Sequence, residues 1–189
     1  MAIIVFETKR FEDERGWFSE TYSAEKLRIF GIKNQFVQDN QSVSVAVGTL
    51  RGLHFQTPPH AQAKLVRCAA GRFLDVVVDV RQGSPTYGNS LSIELTAEKG
   101  EQLYIPEGFA HGFVTLVPNT EIFYKVSSPY APKSDGGIHW NDPSLGINWP
   151  LPATGPITSP KDQQLPLLSG LAKSFTYDGI PLSLKRVSL

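Results

Sequence analysis

Three ionisable side chains, His54, Lys64 and His111, lie within or beside apolar, strand-like segments of the sequence. An imidazole in such a place can ligate a metal or carry a proton near neutral pH. A protonated lysine has no lone pair for a metal and repels a divalent cation. It can instead stabilise a negative charge that develops during a reaction. The combination disfavours a metal site and favours acid–base chemistry through an anionic intermediate.

Short β-strands are expected to position these side chains. Apolar or alternating runs separated by Gly, Pro and Asn are typical of a β-sandwich or barrel, and here they cover residues 35–38, 42–47, 52–56, 64–68, 72–80, 90–95, 102–105, 111–116 and 122–126. With almost no helix between them, they favour antiparallel pairing over βαβ units. We predict an all-β antiparallel sandwich of the jelly-roll type.

The chain is expected to form a single domain over residues 1–189, because sandwiches of this size are often undivided. The barrel core spans about residues 34–127. An N-terminal extension, residues 1–33, carries a strand at 3–7 and a short helix capped by Ser23. A proline-rich C-terminal wrap, residues 128–189, contains one helix start, where Ser159 precedes Pro160.

Charge and composition exclude several functional classes. Lys+Arg and Asp+Glu balance at 18 each, so no overall positive field would attract nucleic acid or a membrane surface. The longest apolar runs are far shorter than a membrane span and no signal sequence precedes them, which predicts a cytoplasmic protein. The single cysteine, Cys68, is interpreted as a small buried hydrophobe, and Arg67 and Arg81 as solvated.

The segment from Pro106 to His111 reads Pro-x-Gly-x-x-His and resembles the second signature of the cupin superfamily, in which a tight turn directs a histidine into the barrel. In metal-binding cupins the upstream motif supplies two histidines and a glutamate. Here those places hold His54, Gln56 and Lys64. The resemblance therefore implies a cupin barrel that has lost its carboxylate ligand, with no metal.

Six sequence blocks resemble the dTDP-4-dehydrorhamnose 3,5-epimerase family in order and spacing. They are FEDERGWFSE (11–20), FVQDN (36–40), LRGLHFQ (50–56), AQAKLVRC (61–68), IPEGFAHGF (105–113) and GIHWNDP (137–143). The likeness covers roughly residues 3–165, and the combination is far more specific than any single motif. It implies a cofactor-free isomerase that inverts C3, C5 or both in a dTDP-4-keto-6-deoxyhexose, in rhamnose or related deoxysugar biosynthesis.

The resemblance also implies catalytic roles. His54 is the general base, and Asp162 is the carboxylate that orients it and stabilises its charged form. Tyr124 returns a proton on the opposite face of the sugar. Lys64, together with His111, steadies the enolate oxygen.

Substrate binding is likewise assigned by resemblance. Arg51 and Lys161 would hold the diphosphate, and thymidine would lie against Tyr130 and Phe18. The remaining implied binding residues are Arg15, Glu20, Gln38, Asp39, Asn40 and Asp135. The group from Arg15 to Asn40 would reach across from a second subunit, which implies a homodimer with shared active sites.

Other interpretations stay open on the residues alone. Asp162 also fits an ordinary capped helix start, and Tyr124 a half-buried strand aromatic. Asp135 stands where family members often carry Glu, and residues 169–189 lie outside the resemblance. The alternative functions are a cupin that binds a nucleotide sugar without turnover, a mono-epimerase of an antibiotic-sugar pathway, and a metal-dependent cupin, which Lys64 disfavours.

Overall fold

The computed structural model describes residues 1–172 and 174–189. The strands are β1 (Ile3–Glu7), β2 (Phe11–Asp13), β3 (Gly16–Phe18), β4 (Gln38–Ser44), β5 (Leu50–Gln56), β6 (Lys64–Ala70), β7 (Arg72–Asp79), β8 (Arg81–Gln82), β9 (Ser90–Thr96), β10 (Gln102–Ile105), β11 (Phe109–Thr115), β12 (Thr120–Val126), β13 (Asp135–Gly137), β14 (Phe175–Thr176) and β15 (Leu184–Ser188). The α-helices are α1 (Ala24–Ile29) and α2 (Pro160–Gln163), and the 3₁₀ turns are Pro143–Leu145 and Leu168–Gly170.

Two large sheets form a β-sandwich. One has six strands in the order β15-β1-β10-β6-β12-β4, and the other has five in the order β13-β5-β11-β7-β9. Every pairing within them is antiparallel except that of β1 with β15. The predicted all-β antiparallel sandwich is therefore confirmed.

The main core lies between the two sheets. Alternate residues of β7, such as Phe73 and Val77, pack there against Val66 of β6 and Leu103 of β10. The residues in between, such as Val76, face the opposite side and pack in a second cluster. Because β7 is buried on both faces, apolar residues occupy both of its sides, and Asp75 and Asp79 are the buried charged residues among them.

Segments from both ends of the chain cover the outer faces of the sheets. Leu27 of α1 packs with Phe6 and Tyr104 on the six-stranded sheet. Leu145 and Trp149 of the C-terminal segment pack on the five-stranded sheet. This leaves the space between the sheets as the place where inward-facing polar side chains can meet.

Both predicted helix starts are confirmed. Ser23 Oγ accepts a hydrogen bond from the backbone N–H of Lys26 at 3.3 Å. Ser159 Oγ accepts one from the N–H of Asp162 at 3.1 Å. In each helix a serine hydroxyl thus satisfies one of the N–H groups that a helix leaves free at its first turn.

Three sequence-based expectations differ from the structure. The strands predicted at 35–38 and 42–47 are one strand, β4, because Asn40 pairs with Tyr124 of β12 instead of forming a turn. The C-terminal residues add a strand, β15, to the large sheet. Arg81 is buried at 2% exposure rather than solvated, because the carboxylate of Asp79 compensates its charge.

None of the helices in the described part of the chain has the length and apolar character that a membrane span requires.

Candidate active site

A cavity of about 210 Å³ opens between the two sheets. The six-stranded sheet and the five-stranded sheet both contribute polar side chains to its wall. The lining residues are Gln38, Asn40, His54, Phe55, Gln56, Gln62, Lys64, Tyr124, Val126, Tyr130, Asp135 and Lys161. Eight of the fifteen residues predicted for the site therefore line this one cavity: Gln38, Asn40, His54, Lys64, Tyr124, Tyr130, Asp135 and Lys161.

His54 enters the cavity from β5. Leu53 and Phe55 on either side of it are buried in the outer cluster, so strand alternation turns the imidazole inward. Gly52 brings β5 close to β11, since a Cβ there would lie 2.5 Å from Gly112 Cα, and its φ is +124°. Only glycine fits this close approach and this backbone angle.

His54 and Asp162 form a hydrogen-bonded dyad. His54 Nε2 lies 2.6 Å from Asp162 Oδ1, and Asp162 Oδ2 accepts the backbone N–H of Gly52 at 3.3 Å. Burial raises the pKa of Asp162, but the bonds from His54 and Gly52 outweigh it, and the pKa lies below its ordinary value. An ionised Asp162 takes the Nε2–H of His54 and leaves the lone pair on Nδ1, as a general base requires.

The two interpretations of Asp162 hold together in the structure. Its backbone N–H is capped by Ser159, as an ordinary helix start would have it. Its side chain, 4% exposed, leaves the helix and reaches the imidazole of His54. The capped turn of α2 thus fixes the direction in which the carboxylate points.

Lys64 brings a buried ammonium to the opposite side of the cavity. The residue is 8% exposed, and Nζ donates to the backbone carbonyl of His54 at 3.4 Å. Burial lowers the pKa of Lys64 to about 8, while the charges of Asp75 and Asp135 act in the other direction. Lys64 is therefore mostly charged at neutral pH, with N–H donors to spare for an oxyanion.

Tyr124 approaches from the six-stranded sheet, across the gap from His54. Burial raises the pKa of its phenol, and the positive charge of Arg51 partly offsets this. Tyr124 is packed against the main core, so the prediction of a half-buried strand aromatic holds as well. A base and a phenol on opposing walls can act on the two faces of one bound ring.

His111 lies below the cavity and does not line it. It is 8% exposed and opposes His54 across the pairing of β11 with β5. Its Nε2 lies 2.8 Å from Asp75 Oδ2. Burial lowers the pKa of His111 and the charge of Lys64 adds to this, while Asp75 acts in the other direction; the pKa lies below its ordinary value, which favours the neutral imidazole at neutral pH.

The mouth of the cavity carries the predicted nucleotide-binding residues. Tyr130 O–H donates to Asp135 Oδ2 at 2.9 Å, and Lys161 forms an ion pair with the same carboxylate. The backbone N–H of Tyr130 donates to Gln38 Oε1 at 3.3 Å, and Gln38 Nε2 donates to Asn40 Oδ1 at 2.8 Å. The aspartate side chain at position 135, although shorter than the glutamate that family members often carry, thus still reaches both Tyr130 and Lys161.

A second cavity of about 310 Å³ adjoins the first. Arg51 and Lys161 both line it, and His54 and Lys161 line the two cavities together. Two cations at the wall of one cavity form a suitable site for a diphosphate. The geometry therefore brings the proposed base and the proposed diphosphate site side by side.

Four predicted binding residues lie elsewhere within this chain. Asp39 is on the outer face of β4, where it pairs with Lys125 at 2.8 Å. Arg15, Phe18 and Glu20 belong to the β2–β3 hairpin and its exit, outside the cavity wall. In β4, alternate residues face opposite sides of the sheet, so Gln38 and Asn40 reach the cavity of their own chain and Asp39 does not. The expectation that the whole group from Arg15 to Asn40 serves a second subunit is therefore corrected for Gln38 and Asn40.

Sequence reasoning missed two contributors. Asp75 is the fully buried partner of His111, and its signal was an acid at an inward-facing position between the apolar residues Phe73 and Val77. Gln56, interpreted only as a lost metal ligand, holds the loop that carries Tyr130. Its amide donates to the carbonyl of Pro129 and accepts the N–H of Ala131.

Among the residues that the structure describes, no group of three or more His, Cys, Asp or Glu side chains is arranged to hold a metal ion. Near the two inward histidines the further charged groups are Lys64 and the carboxylates that pair with the imidazoles. The ammonium repels a cation. This set of groups suits acid–base chemistry on an anion.

The chain is similar to known proteins along most of its length. The sequence model of the family described as dTDP-4-dehydrorhamnose 3,5-epimerase matches residues 2–170. A dTDP-4-dehydrorhamnose 3,5-epimerase of Sinorhizobium fredii is 51% identical over 169 residues, which cover 89% of this chain and 86% of the relative.

Solved structures agree with the sequence comparison. A dTDP-6-deoxy-D-glucose-3,5-epimerase of Legionella pneumophila, in complex with dTDP-4-keto-L-rhamnose, has a TM-score of 0.88 at 42% identity and covers 93% of both chains. A 3'-monoepimerase of Streptomyces bikiniensis, in complex with dTDP-quinovose, has a TM-score of 0.82 at 37% identity and covers 87% of this chain and 83% of its own.

Proposed function

The chain belongs to the dTDP-4-dehydrorhamnose 3,5-epimerase family, and we propose that His54, Lys64 and Tyr124 carry out the epimerisation. The enzyme is an isomerase that inverts C3, C5 or both in a dTDP-4-keto-6-deoxyhexose, by acid–base catalysis through an enolate. The 4-keto group acidifies the hydrogens on both neighbouring carbons, so the chemistry proposed here needs no cofactor.

His54 begins each inversion. Its Nδ1 removes the proton from the carbon next to the carbonyl, the C–H electron pair forms a carbon–carbon double bond, and the carbonyl electrons move to the oxygen. The buried ammonium of Lys64 stabilises the resulting oxyanion. Asp162 stabilises the imidazolium that forms on His54.

Tyr124 completes the inversion from the other face. Its phenol gives a proton to the same carbon, and the carbonyl re-forms as the oxyanion returns its electrons. The phenolate then regains a proton and His54 loses one, both by exchange with solvent. Burial raises the pKa of Tyr124 and keeps its phenol protonated before this step, and the charge of Arg51, which acts in the other direction, favours the phenolate that the step leaves.

The observation that carries the proposal is the dyad of His54 and Asp162, with its 2.6 Å contact, in a cavity whose opposite wall carries Tyr124. A histidine that served only the fold would not need a buried carboxylate partner at the wall of a cavity with a phenol and an ammonium. The same cavity adjoins the cations proposed for the diphosphate, Arg51 and Lys161.

We place the nucleotide at the mouth of the cavity. The diphosphate binds Arg51 and Lys161, which exchanges the ion pair of Lys161 with Asp135 for one with the ligand. Thymidine lies against Tyr130, which is 58% exposed. Gln38 and Asn40 provide the neighbouring amide groups.

A second copy of the chain completes the site in this proposal. Arg15, Phe18 and Glu20 do not reach the cavity of their own chain, and Phe18 is 69% exposed while Trp17 is 56% exposed. Exposed aromatic residues beside an exposed arginine are typical of an interface. Light scattering should show a dimer, and Phe18→Asp should yield monomers with weakened nucleotide binding; a monomeric wild-type enzyme with full activity would contradict the shared site.

A cytoplasmic location stays a prediction from the sequence.

Solvent exchange tests the function directly. The chelator-treated enzyme is incubated with dTDP-4-keto-6-deoxyglucose in deuterium oxide, and NMR follows the label at C3 and C5. Exchange at both positions is expected, with formation of the L-rhamno product. No exchange would support a protein that binds the nucleotide sugar without turnover, and exchange abolished by chelation would restore a metal.

A mono-epimerase is the second candidate, because a 3'-monoepimerase has the same fold as this chain at 37% identity. Inversion confined to C3 in the same experiment would identify it.

A further inference from the structure

Asp75 is a buried carboxylate without a part in the proton transfers of His54 and Tyr124. It lies on the inner face of β7 at 0% exposure. Its Oδ2 contacts His111 Nε2 at 2.8 Å, whereas its Oδ1 is buried and has no hydrogen-bond partner among the residues described. Half of the carboxylate is thus left unsatisfied.

Hydrogen bonding alone does not account for an acid at this position. A buried charge with an unpartnered oxygen is costly for the fold. The single bond to His111 requires only one acceptor oxygen, which the amide of an asparagine also has. What an aspartate provides here and an asparagine does not is negative charge.

The charge acts on Lys64. Lys64 is buried at the wall of the cavity and makes one protein hydrogen bond, to the backbone carbonyl of His54. Titratable side chains face it from each strand around the site: His54 on β5, Asp75 on β7, His111 on β11, Tyr124 on β12 and Asp135 on β13. Asp75 and Asp135 are the two that favour its charged form.

Asp135 is already engaged at the mouth, where it binds Lys161 and Tyr130. Asp75 has no cationic side chain as a hydrogen-bond partner among the residues described. Its pairing with His111 adds no positive charge, because burial lowers the pKa of that imidazole. A neutral His111 donates its Nε2–H to Asp75 and fixes the direction of the carboxylate.

We propose that Asp75 is the positioning residue that keeps Lys64 in its ammonium form, as a counter-charge placed where it leaves the N–H donors of Lys64 free for the substrate oxygen. The inference rests on the proposed role of Lys64 and extends it. A carboxylate in direct contact with Lys64 would occupy those donors. A carboxylate held back by His111 supports the charge and leaves the donors open.

The test is Asp75→Asn, which keeps the shape and the acceptor for His111 and removes the charge. NMR of enzyme labelled at lysine Cε reports the titration of Lys64, assigned with Lys64→Met. In the wild type its midpoint should lie near pH 8. In Asp75→Asn the midpoint should fall by about one unit or more, and the alkaline limb of the kcat profile should fall with it while KM changes little.

A matched control removes a negative charge from the surface of the neighbouring strand. Glu94→Gln on β9 should leave both the midpoint and the kcat profile unchanged, since Glu94 is exposed. If Asp75→Asn does not fold, Asp75→Ser provides the same charge removal in a smaller side chain.

An unchanged Lys64 midpoint in the Asp75 variant, with activity lost equally at every pH, would overturn the inference and leave a structural role. If the midpoint moves and the kcat limb does not, Asp75 is still the counter-charge, and it is the proposed role of Lys64 in turnover that fails.

Discussion

Asp75 and Asp79 lie four residues apart on the inner side of one strand, β7, and both are completely buried, yet their surroundings differ. Asp79 accepts hydrogen bonds from the backbone and guanidinium of Arg81 and from the hydroxyls of Ser84 and Thr86. Asp75 contacts one imidazole with one oxygen.

The difference separates charge that holds the fold from charge that serves a reaction. The Asp79 cluster is saturated and joins distant parts of the chain, because Arg81 also binds Asp178 at 2.7 Å near the C-terminus. The Asp75 cluster lies beneath the cavity, and Asp75 Oδ1 has no hydrogen-bond partner among the residues described, so its charge is left to act on Lys64. One strand thus supports both kinds of site.

The largest effect on activity is expected from a change in the cavity. His54→Ala should lower kcat by about 10² to 10⁴, the range typical of a lost general base. Binding of dTDP, measured by calorimetry, should be nearly unchanged, because the base does not hold the nucleotide.

A matched variant checks that this loss is specific. His60→Ala removes an exposed loop histidine and should leave kcat as it is. Abolished dTDP binding in His54→Ala would mean that His54 belongs to the binding site instead of the chemistry.

A change in the Asp79 cluster should lower the free energy of unfolding. Arg81→Met keeps the aliphatic stem that packs on Gly108 but leaves Asp79 buried without its main partner. Breaking a buried pair in this way should cost about 3 kcal/mol of unfolding free energy, measured by urea denaturation. The kcat of the folded fraction should be retained. A variant that is inactive but fully stable would mean that the Asp79 cluster serves the reaction and not the fold.

The smallest effect is expected in the unfolding free energy at acid pH, to which Asp79 and Asp75 should contribute with opposite signs. Burial raises the pKa of Asp79, but its hydrogen bonds outweigh this and the pKa lies below 3.8 in the folded state. Its ionisation therefore stabilises the fold above the unfolded pKa, and this contribution is lost as the pH falls through the folded value. Burial raises the pKa of Asp75 above 3.8, against the partial opposition of His111 and Lys64, so protonating it costs the fold nothing.

Unfolding free energies measured between about pH 5 and 2 test these signs. Asp79→Asn should flatten the acid-side loss of stability by up to about 1.4 kcal/mol per pH unit, whereas Asp75→Asn should not flatten it. Equal slopes in both variants would remove the contrast between the two carboxylates.

Much of the fold could be predicted because its signals are local. Alternation and turn residues located most strands, and Ser23 and Ser159 marked both helix starts. Long-range pairing left no such signal. β15 joins β1 across almost the whole chain, and Asn40, a common turn residue, lies within β4 because β12 pairs with it.

The candidate site divides in the same way. His54, Lys64 and Tyr124 stand in motif blocks, and the structure brings them to one cavity. Asp75 stands in no motif and acts through a tertiary contact with His111, so only its unusual burial could have indicated it. Arg81 was predicted to be solvated because the sequence does not show that Asp79 turns towards it.

The central claim is that a base and an acid act on opposite faces of the sugar, and Tyr124→Phe in deuterium oxide tests it most directly. The substitution keeps the ring in the core and removes the proton donor. Deuterium should still enter the substrate next to the carbonyl, because His54 can remove and return a proton on its own face, while inverted product falls by about 10² or more. Inversion at the wild-type rate in this variant, or loss of exchange together with inversion, would contradict the account.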